Sequence, residues 1–161
     1  MKVPAYYEKG WRISVGIVLF NTEKQIFMGE RIDNRGAWQM PQGGVNISKK
    51  EELKDAAMRE LFEETGVKKA KIGSQSNSWY YYYLPDELKR KLWGGKFIGQ
   101  KQKWFLFKFL GHNGEVNINA NRRPEFCNWK WVDATKVCSE IIKFKKDIYK
   151  KVLEEFKFIT A

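Results

Sequence analysis

Histidine occurs once in this chain of 161 residues and cysteine twice. No apolar run approaches the roughly 18 residues of a membrane span. Each shortage excludes something. Cys127 and Cys138 show neither metal-finger spacing nor a CxxC pair, so a reduced, cytoplasmic chain is the default. Without the apolar run, no transmembrane helix and no membrane partner are expected. The opening MKVPAYYEKGW has no apolar stretch and no small-residue cleavage site, so it does not read as a secretory signal. His112 sits in LGHNGE, which reads as a polar turn. A Ser-His-Asp triad or a histidine phosphoryl transfer would depend on it alone. An enzyme of this composition would instead work with carboxylates, lysines or a metal. No repeat, low-complexity stretch or linker stands out, and the chain reads as one domain over residues 1–161.

What is present is globular material: 43% hydrophobic and 16% aromatic residues, too much for a disordered tail. The formal net charge is +11. Clustered Lys and Arg raise the local concentration of phosphates, which points to an anionic partner. A lysine-rich coding bias would give the same charge, and the abundant Asn, Ile, Tyr and Phe fit it equally well.

Patterning predicts strands at Arg12 to Phe20 and Gln25 to Ile32, joined by a turn at Asn21–Lys24. A Gly- and Pro-containing loop follows from Asn34 to Ser48. Ser48 reads as an N-cap, with Glu51 completing a capping box, and the helix runs to about Thr65 with Gly66 closing it. Strands resume within Lys71 to Tyr83, a short helix covers Pro85 to Leu92, and strands follow at Lys101 to Leu110 and Phe126 to Val132. Phe144, Ile148, Val152 and Phe156 recur every four residues and predict a C-terminal helix. Strands and helices mix without βαβ alternation, which predicts a mixed sheet with helices packed on it.

The stretch RELFEETG, Arg59 to Gly66, concentrates acid in a basic protein. At about 100° per residue, Glu60 and Glu64 share the face of Leu53 and Ala57, with Glu63 flanking. These acids therefore continue the side that faces the protein. Glu60 repels Glu64 at i,i+4 and Glu63 at i,i+3, costing roughly 0.2–0.5 kcal/mol per pair. The negative end of the helix dipole adds roughly 0.3–1 kcal/mol for each acid, and burial adds more. A divalent cation would reverse all of these terms, and hard cations take oxygen ligands. A Glu-rich helix end solvated by water remains the plain alternative.

From Glu51 onward the residues match the Nudix box at every fixed position: Glu51, then seven residues, then Arg59, Glu60, Leu61, Glu63, Glu64, Gly66 and Val67. The chain thus resembles the Nudix hydrolases. Its start departs, since seven residues separate Gly43 from Glu51 where the family has five, which reads as a two-residue insertion in the loop Val45 to Lys50. WRISVGIVLF, AWQMPQGG, IGQKQKWF, RRPEFCNWKWV and IIKFKKDIYKKVLEEF are further similar to the bacterial RNA pyrophosphohydrolase and dinucleoside polyphosphate hydrolase subfamily. The resemblance implies an α+β protein, a Nudix α/β/α sandwich whose mixed sheet carries helices on both sides. It implies that Glu60, Glu63 and Glu64 bind Mg²⁺ or Mn²⁺, more than one ion, with Glu125 and the Gly43 backbone as further ligands. Arg59 would orient a glutamate. Arg12, Gln100, Lys101 and Lys103 would lie near the phosphates, and Ile142 and Phe144 would flank a base.

Read without the family, Gln100 to Lys103 is a polyphosphate grip or an ordinary strand entry, and Lys101 and Lys103 share one strand face. WYYYY, Trp79 to Tyr83, stacks bases or packs as a strand. The activity that the resemblance implies is metal-dependent conversion of 5′-triphosphorylated RNA to 5′-monophosphorylated RNA with release of pyrophosphate, initiating mRNA decay. Hydrolysis of diadenosine polyphosphates on the same site is the alternative. A non-catalytic RNA binder is the alternative of another class. Protein partners are left open, and a monomer is assumed.

Overall fold

The computed structural model describes residues 2–141 and 145–158. Its centre is a pair of long parallel strands, β1 (Trp11–Phe20) and β7 (Gly99–Phe109), running in register from Trp11 beside Gly99 to Phe20 beside Lys108. β1 turns into β2 (Gln25–Arg31) where Asn21 Oδ1 accepts the backbone N–H groups of Glu23 and Gln25 at 3.0 and 2.9 Å. β2 also pairs with β3 (Trp38–Gln39) and β8 (Phe126–Asp133). The start of β1 pairs with β4 (Gln42–Gly44), while β7 carries β5 (Ala70–Gln75) and β6 (Tyr80–Tyr83) on its other side. The sheet is mixed, as the patterning predicts.

Strand alternation divides the core in two. Val18 and Trp104 face Val137 of α3 (Ala134–Glu140) and Ile148, Tyr149, Val152 and Leu153 of α4 (Lys146–Glu155). Ile13, Val15, Ile17, Phe105 and Phe107 face Ala56, Ala57 and Leu61 of α1 (Leu53–Thr65). Helices therefore cover both faces of the sheet, the α+β sandwich expected. The Met40 N–H donates to the buried Tyr149 Oη at 2.9 Å, which ties α4 to the chain just before Gly43.

Three readings need correction. Ser48 does not cap α1. The helix begins at Leu53 after an extended Glu52, and Ser48 Oγ donates instead to Asn46 Oδ1 at 2.9 Å. Glu51 cannot reach back to a Ser48 cap because Arg59 and the Asn46 N–H hold its carboxylate. The inserted residues close a turn in which the Lys50 N–H donates to Ile47 O at 2.9 Å, with Lys50 at φ 51. The loop Asn34 to Ser48 contains two short strands, β3 and β4. The chain end has two helices, with α3 arising before the region of fourfold apolar recurrence. The other end of α1 is as expected: Gly66 takes φ 71 and its N–H donates to Phe62 O.

Candidate active site: an acidic cleft beside a partly buried arginine

Helix α1 delivers Glu60, Glu63 and Glu64 to a cleft of about 340 Å³ whose other walls include Arg12, Gln42, Gly43, Gly44, Gln100 and Glu125. The helical spacing that groups the acids also buries them. Glu60 is 9% exposed and Glu64 4%. Glu63 stands more open at the rim.

Arg59 organises the acids. Its Nε and Nη2 donate to the two oxygens of Glu51, both at 2.9 Å, and Nη2 also reaches Gly44 O at 2.9 Å. Nη1 donates to Glu60 Oε1 at 2.7 Å and to Glu63 Oε2 at 3.2 Å. These bonds, led by those to Glu51, hold the guanidinium firmly protonated. Glu64 Oε2 accepts the Gln42 N–H at 3.0 Å. Gly43 lies against Glu60 so closely that a Cβ there would stand 2.0 Å from the carboxyl carbon. No residue larger than glycine fits this bed without displacing Glu60.

Burial pushes the Glu60 carboxyl up to about 7, against the pull of Arg59. Burial, then the charges of Glu60 and Glu125, raise Glu64 well above the usual carboxylate range. Among the described residues no three acids converge into a ready coordination sphere, and Arg59 and the Gln42 N–H engage Glu60, Glu63 and Glu64. The donor set nevertheless fits a hard divalent cation in kind: carboxylate oxygens, a glycine backbone bed, and two buried acids whose charge lacks full compensation.

These raised values set a pH dependence. Glu60 titrates near 4.5 unfolded and about 7 folded. Its contribution to stability is therefore fully present below about pH 4.5 and lost as pH rises through 7, on the order of 3 kcal/mol in all. In chelator, the unfolding free energy from urea titrations should carry this fall between about pH 4.5 and 7, and Glu60→Gln should remove the share due to Glu60. Divalent metal should restore stability at pH 8 more than at pH 5. Equal slopes for wild type and variant would refute the assignment.

Cations line the facing wall. The guanidinium of Arg12 lies 4.2 Å from the Trp93 ring centroid, and its Nη1 donates to Gln100 Oε1 at 3.1 Å. Burial lowers its pKa, and it makes no ion pair among the described residues. The buried Lys145 donates to Gln39 Oε1 at 2.9 Å, and burial, then Arg31, pulls its pKa down to about 7. Tyr82 accepts from Gln42 Nε2 at 3.4 Å, its phenol pushed up to about 12 by burial.

The structure thus brings Arg12, Gly43, Arg59, Glu60, Glu63, Glu64, Gln100 and Glu125 together. Lys101 and Lys103 go elsewhere. Strand alternation sends them to the α1 side of the sheet, where both ammonium groups lie over Trp79, at 4.6 and 5.1 Å. Lys101 donates to Tyr6 O and pairs with Glu8, and Lys103 donates to Asn77 O. Ile142 and Phe144 lie outside the described residues. Sequence reasoning missed Lys145 and Tyr82. Lys145 is one lysine of many, and only the inward phase of Tyr80 and Tyr82 within the tyrosine run separates them from the exposed Tyr81 and Tyr83. His112 is exposed and remote from these groups, its carbonyl accepting the Glu115 N–H in a short turn. Among the described residues no helix is long and apolar enough to cross a membrane.

A family profile described as the NUDIX domain matches residues 10–156. A protein named RNA pyrophosphohydrolase from Wolbachia pipientis subsp. Culex pipiens (strain wPip) is 48% identical over 152 residues, covering 94% of this chain and 93% of that one. Another of that name, from Orientia tsutsugamushi (strain Boryong), is 46% identical over 156 residues, covering 96% and 95%. Among solved structures, the E. coli dihydroneopterin triphosphate pyrophosphohydrolase is similar with a TM-score of 0.71 at 19% identity, covering 92% of this chain and 97% of its own. A C. elegans Ap4A hydrolase binary complex gives a TM-score of 0.63 at 16% identity, covering 91% and 99%. At such identities the two structures speak for the fold alone.

Proposed function

The chain belongs to the Nudix hydrolase family, and from that premise we propose that it is an RNA pyrophosphohydrolase, cleaving 5′-triphosphorylated RNA to 5′-monophosphorylated RNA and pyrophosphate. The observation that carries the reading is the cleft itself. Buried acids form one wall, and a partly buried guanidinium with no ion-pair partner among the described residues faces them. A triphosphate bridging divalent cations on the acids to the facing arginine would satisfy both walls. Relatives at 48% and 46% identity that carry the name supply the RNA.

Glu60, Glu63, Glu64 and Glu125, with the Gly43 backbone, would hold Mg²⁺ or Mn²⁺, more than one ion. Held there, such ions would lower the pKa of water and offset charge on the phosphates. Arg12 and Lys145 grip phosphate oxygens and stabilise charge as the P–O bond to the departing pyrophosphate breaks. Water supplies the oxygen that leaves on the RNA monophosphate. Glu60 accepts its proton. A simple RNA binder would gain nothing from acids facing phosphate. With RNA ends as substrate, the protein would act in the cytoplasm, as a monomer.

Incubation with 5′-triphosphate RNA and, separately, diadenosine tetraphosphate tests the reading, each with Mg²⁺, Mn²⁺ or chelator. Metal-dependent release of pyrophosphate, or of successive phosphates, from the RNA is expected. Cleavage of the dinucleotide alone would replace the RNA reading, and cleavage of neither would end it. The two cation sets should also separate. Arg12→Ala should lower kcat/KM by about a hundredfold, since it removes a charge-assisted grip on phosphate. Lys103→Gln should change it by no more than about twofold. Equal losses would contradict the placement.

A further inference from the structure

Trp93 belongs to none of the roles above, yet its placement is unfavourable on its own. Helix α2 (Asp86–Lys91) and the turn after it run along the cleft, where Leu84, Leu88, Leu92 and Trp93 complete the wall beside Arg12. In that turn Trp93, Gly94 and Gly95 take φ values of 49, 66 and 74. Glycines adopt this left-handed region freely, but the Cβ of a tryptophan strains it. Such conformations persist where a specific contact maintains them. The indole is also 37% exposed, so core burial does not explain it.

The contact is Arg12. The indole ring centroid lies 4.2 Å from the guanidinium carbon. The backbone of Gly44 comes close as well, since a Cβ there would approach Arg12 Nη2 to 2.6 Å. One edge donor is engaged by Gln100 Oε1 at 3.1 Å. Among the described residues that oxygen is the one hydrogen-bond acceptor the guanidinium engages, out of five N–H donors. The arrangement fixes a long, flexible side chain and leaves further donors for a planar, two-point grip on phosphate.

We propose that Trp93 is a positioning residue, which acts through Arg12 by holding the guanidinium plane so that its free donors meet a phosphate of the substrate. The identity of that substrate rests on the triphosphate RNA reading. The positioning does not, since it applies to any polyphosphate in the cleft.

A double-mutant cycle tests it, read by calorimetric binding of inorganic tripolyphosphate in chelator and by KM and kcat on 5′-triphosphate RNA with metal. Trp93→Ala should weaken tripolyphosphate binding about tenfold, and raise KM more than it lowers kcat. Trp93→Phe and Trp93→Tyr should recover most of the loss, whereas Trp93→Leu, which keeps bulk without a ring, should not. In an Arg12→Ala background, Trp93→Ala should have no further effect. Additive losses, or equal behaviour of the Phe and Leu variants, would overturn the proposal. If Trp93→Ala fails to fold, the difference between the Phe and Leu variants decides the matter by itself. If RNA is not cleaved while the tripolyphosphate cycle holds, the substrate reading falls and the positioning role stands.

Discussion

Glu64→Gln should cut kcat on the order of a thousandfold while leaving the fold at least as stable. The two halves of this result share a cause. Glu64 is 4% exposed, and in the structure it accepts one backbone N–H, from Gln42 at 3.0 Å. Burial and the neighbouring Glu60 and Glu125 disfavour its charge, so the folded chain without metal is destabilised by this acid. An amide oxygen can accept the same N–H without that penalty. In chelator the variant should therefore unfold at the same or higher urea concentration than wild type. A neutral amide is a far weaker ligand for a cation than a carboxylate, so the stabilisation by Mg²⁺ or Mn²⁺ should shrink together with kcat. A variant that lost stability in chelator and kept its turnover would show Glu64 to be a structural acid.

Gly43→Ala should separate the site from the fold by the opposite route. The added carbon would stand 2.0 Å from Glu60 Cδ and 2.2 and 2.3 Å from its two oxygens. Carboxylate ends can swing away, and the backbone of Gly43 itself needs no left-handed conformation. The fold should therefore lose only about 1–2 kcal/mol, as overpacking at a yielding neighbour does. Glu60 would have to leave its 2.7 Å bond with Arg59 and its place beside Gly43. Catalysis tolerates such displacement poorly, and kcat should fall about a hundredfold. Parallel turnover assays and urea titrations decide it. Unchanged turnover would mean that the contact between Gly43 and Glu60 carries no function.

The parts of this site that were legible in sequence are those fixed by local geometry. Helical spacing alone placed Glu60 and Glu64 on the apolar side of α1, and Gly66 marked its end. Strand alternation also told that Gln100 and Gln102 point one way and Lys101 and Lys103 the other. It could not tell which way the cleft lay, because that depends on β1 and β4 pairing from far along the chain. The family resemblance put the lysines among the expected phosphate contacts, and the structure places them over Trp79 on the other face. Ser48 failed as a cap for a similar reason: Glu51 is claimed by Arg59, a partner that a local capping pattern does not weigh. Lys145, Tyr82 and Trp93 reach the cleft from segments with no distinguishing spacing. Burial marks out Lys145 and Tyr82, and its contact with Arg12 marks out Trp93, and only the folded chain supplies these neighbours.

Divalent cations held by the acids of α1 are the centre of the proposed chemistry. Electron paramagnetic resonance of Mn²⁺ titrated with protein, without substrate, tests this most directly. Wild type should deplete the free-ion signal in proportion to added protein, and Glu64→Gln should leave most of it. A signal untouched by wild type, or depleted equally by both proteins, would contradict it.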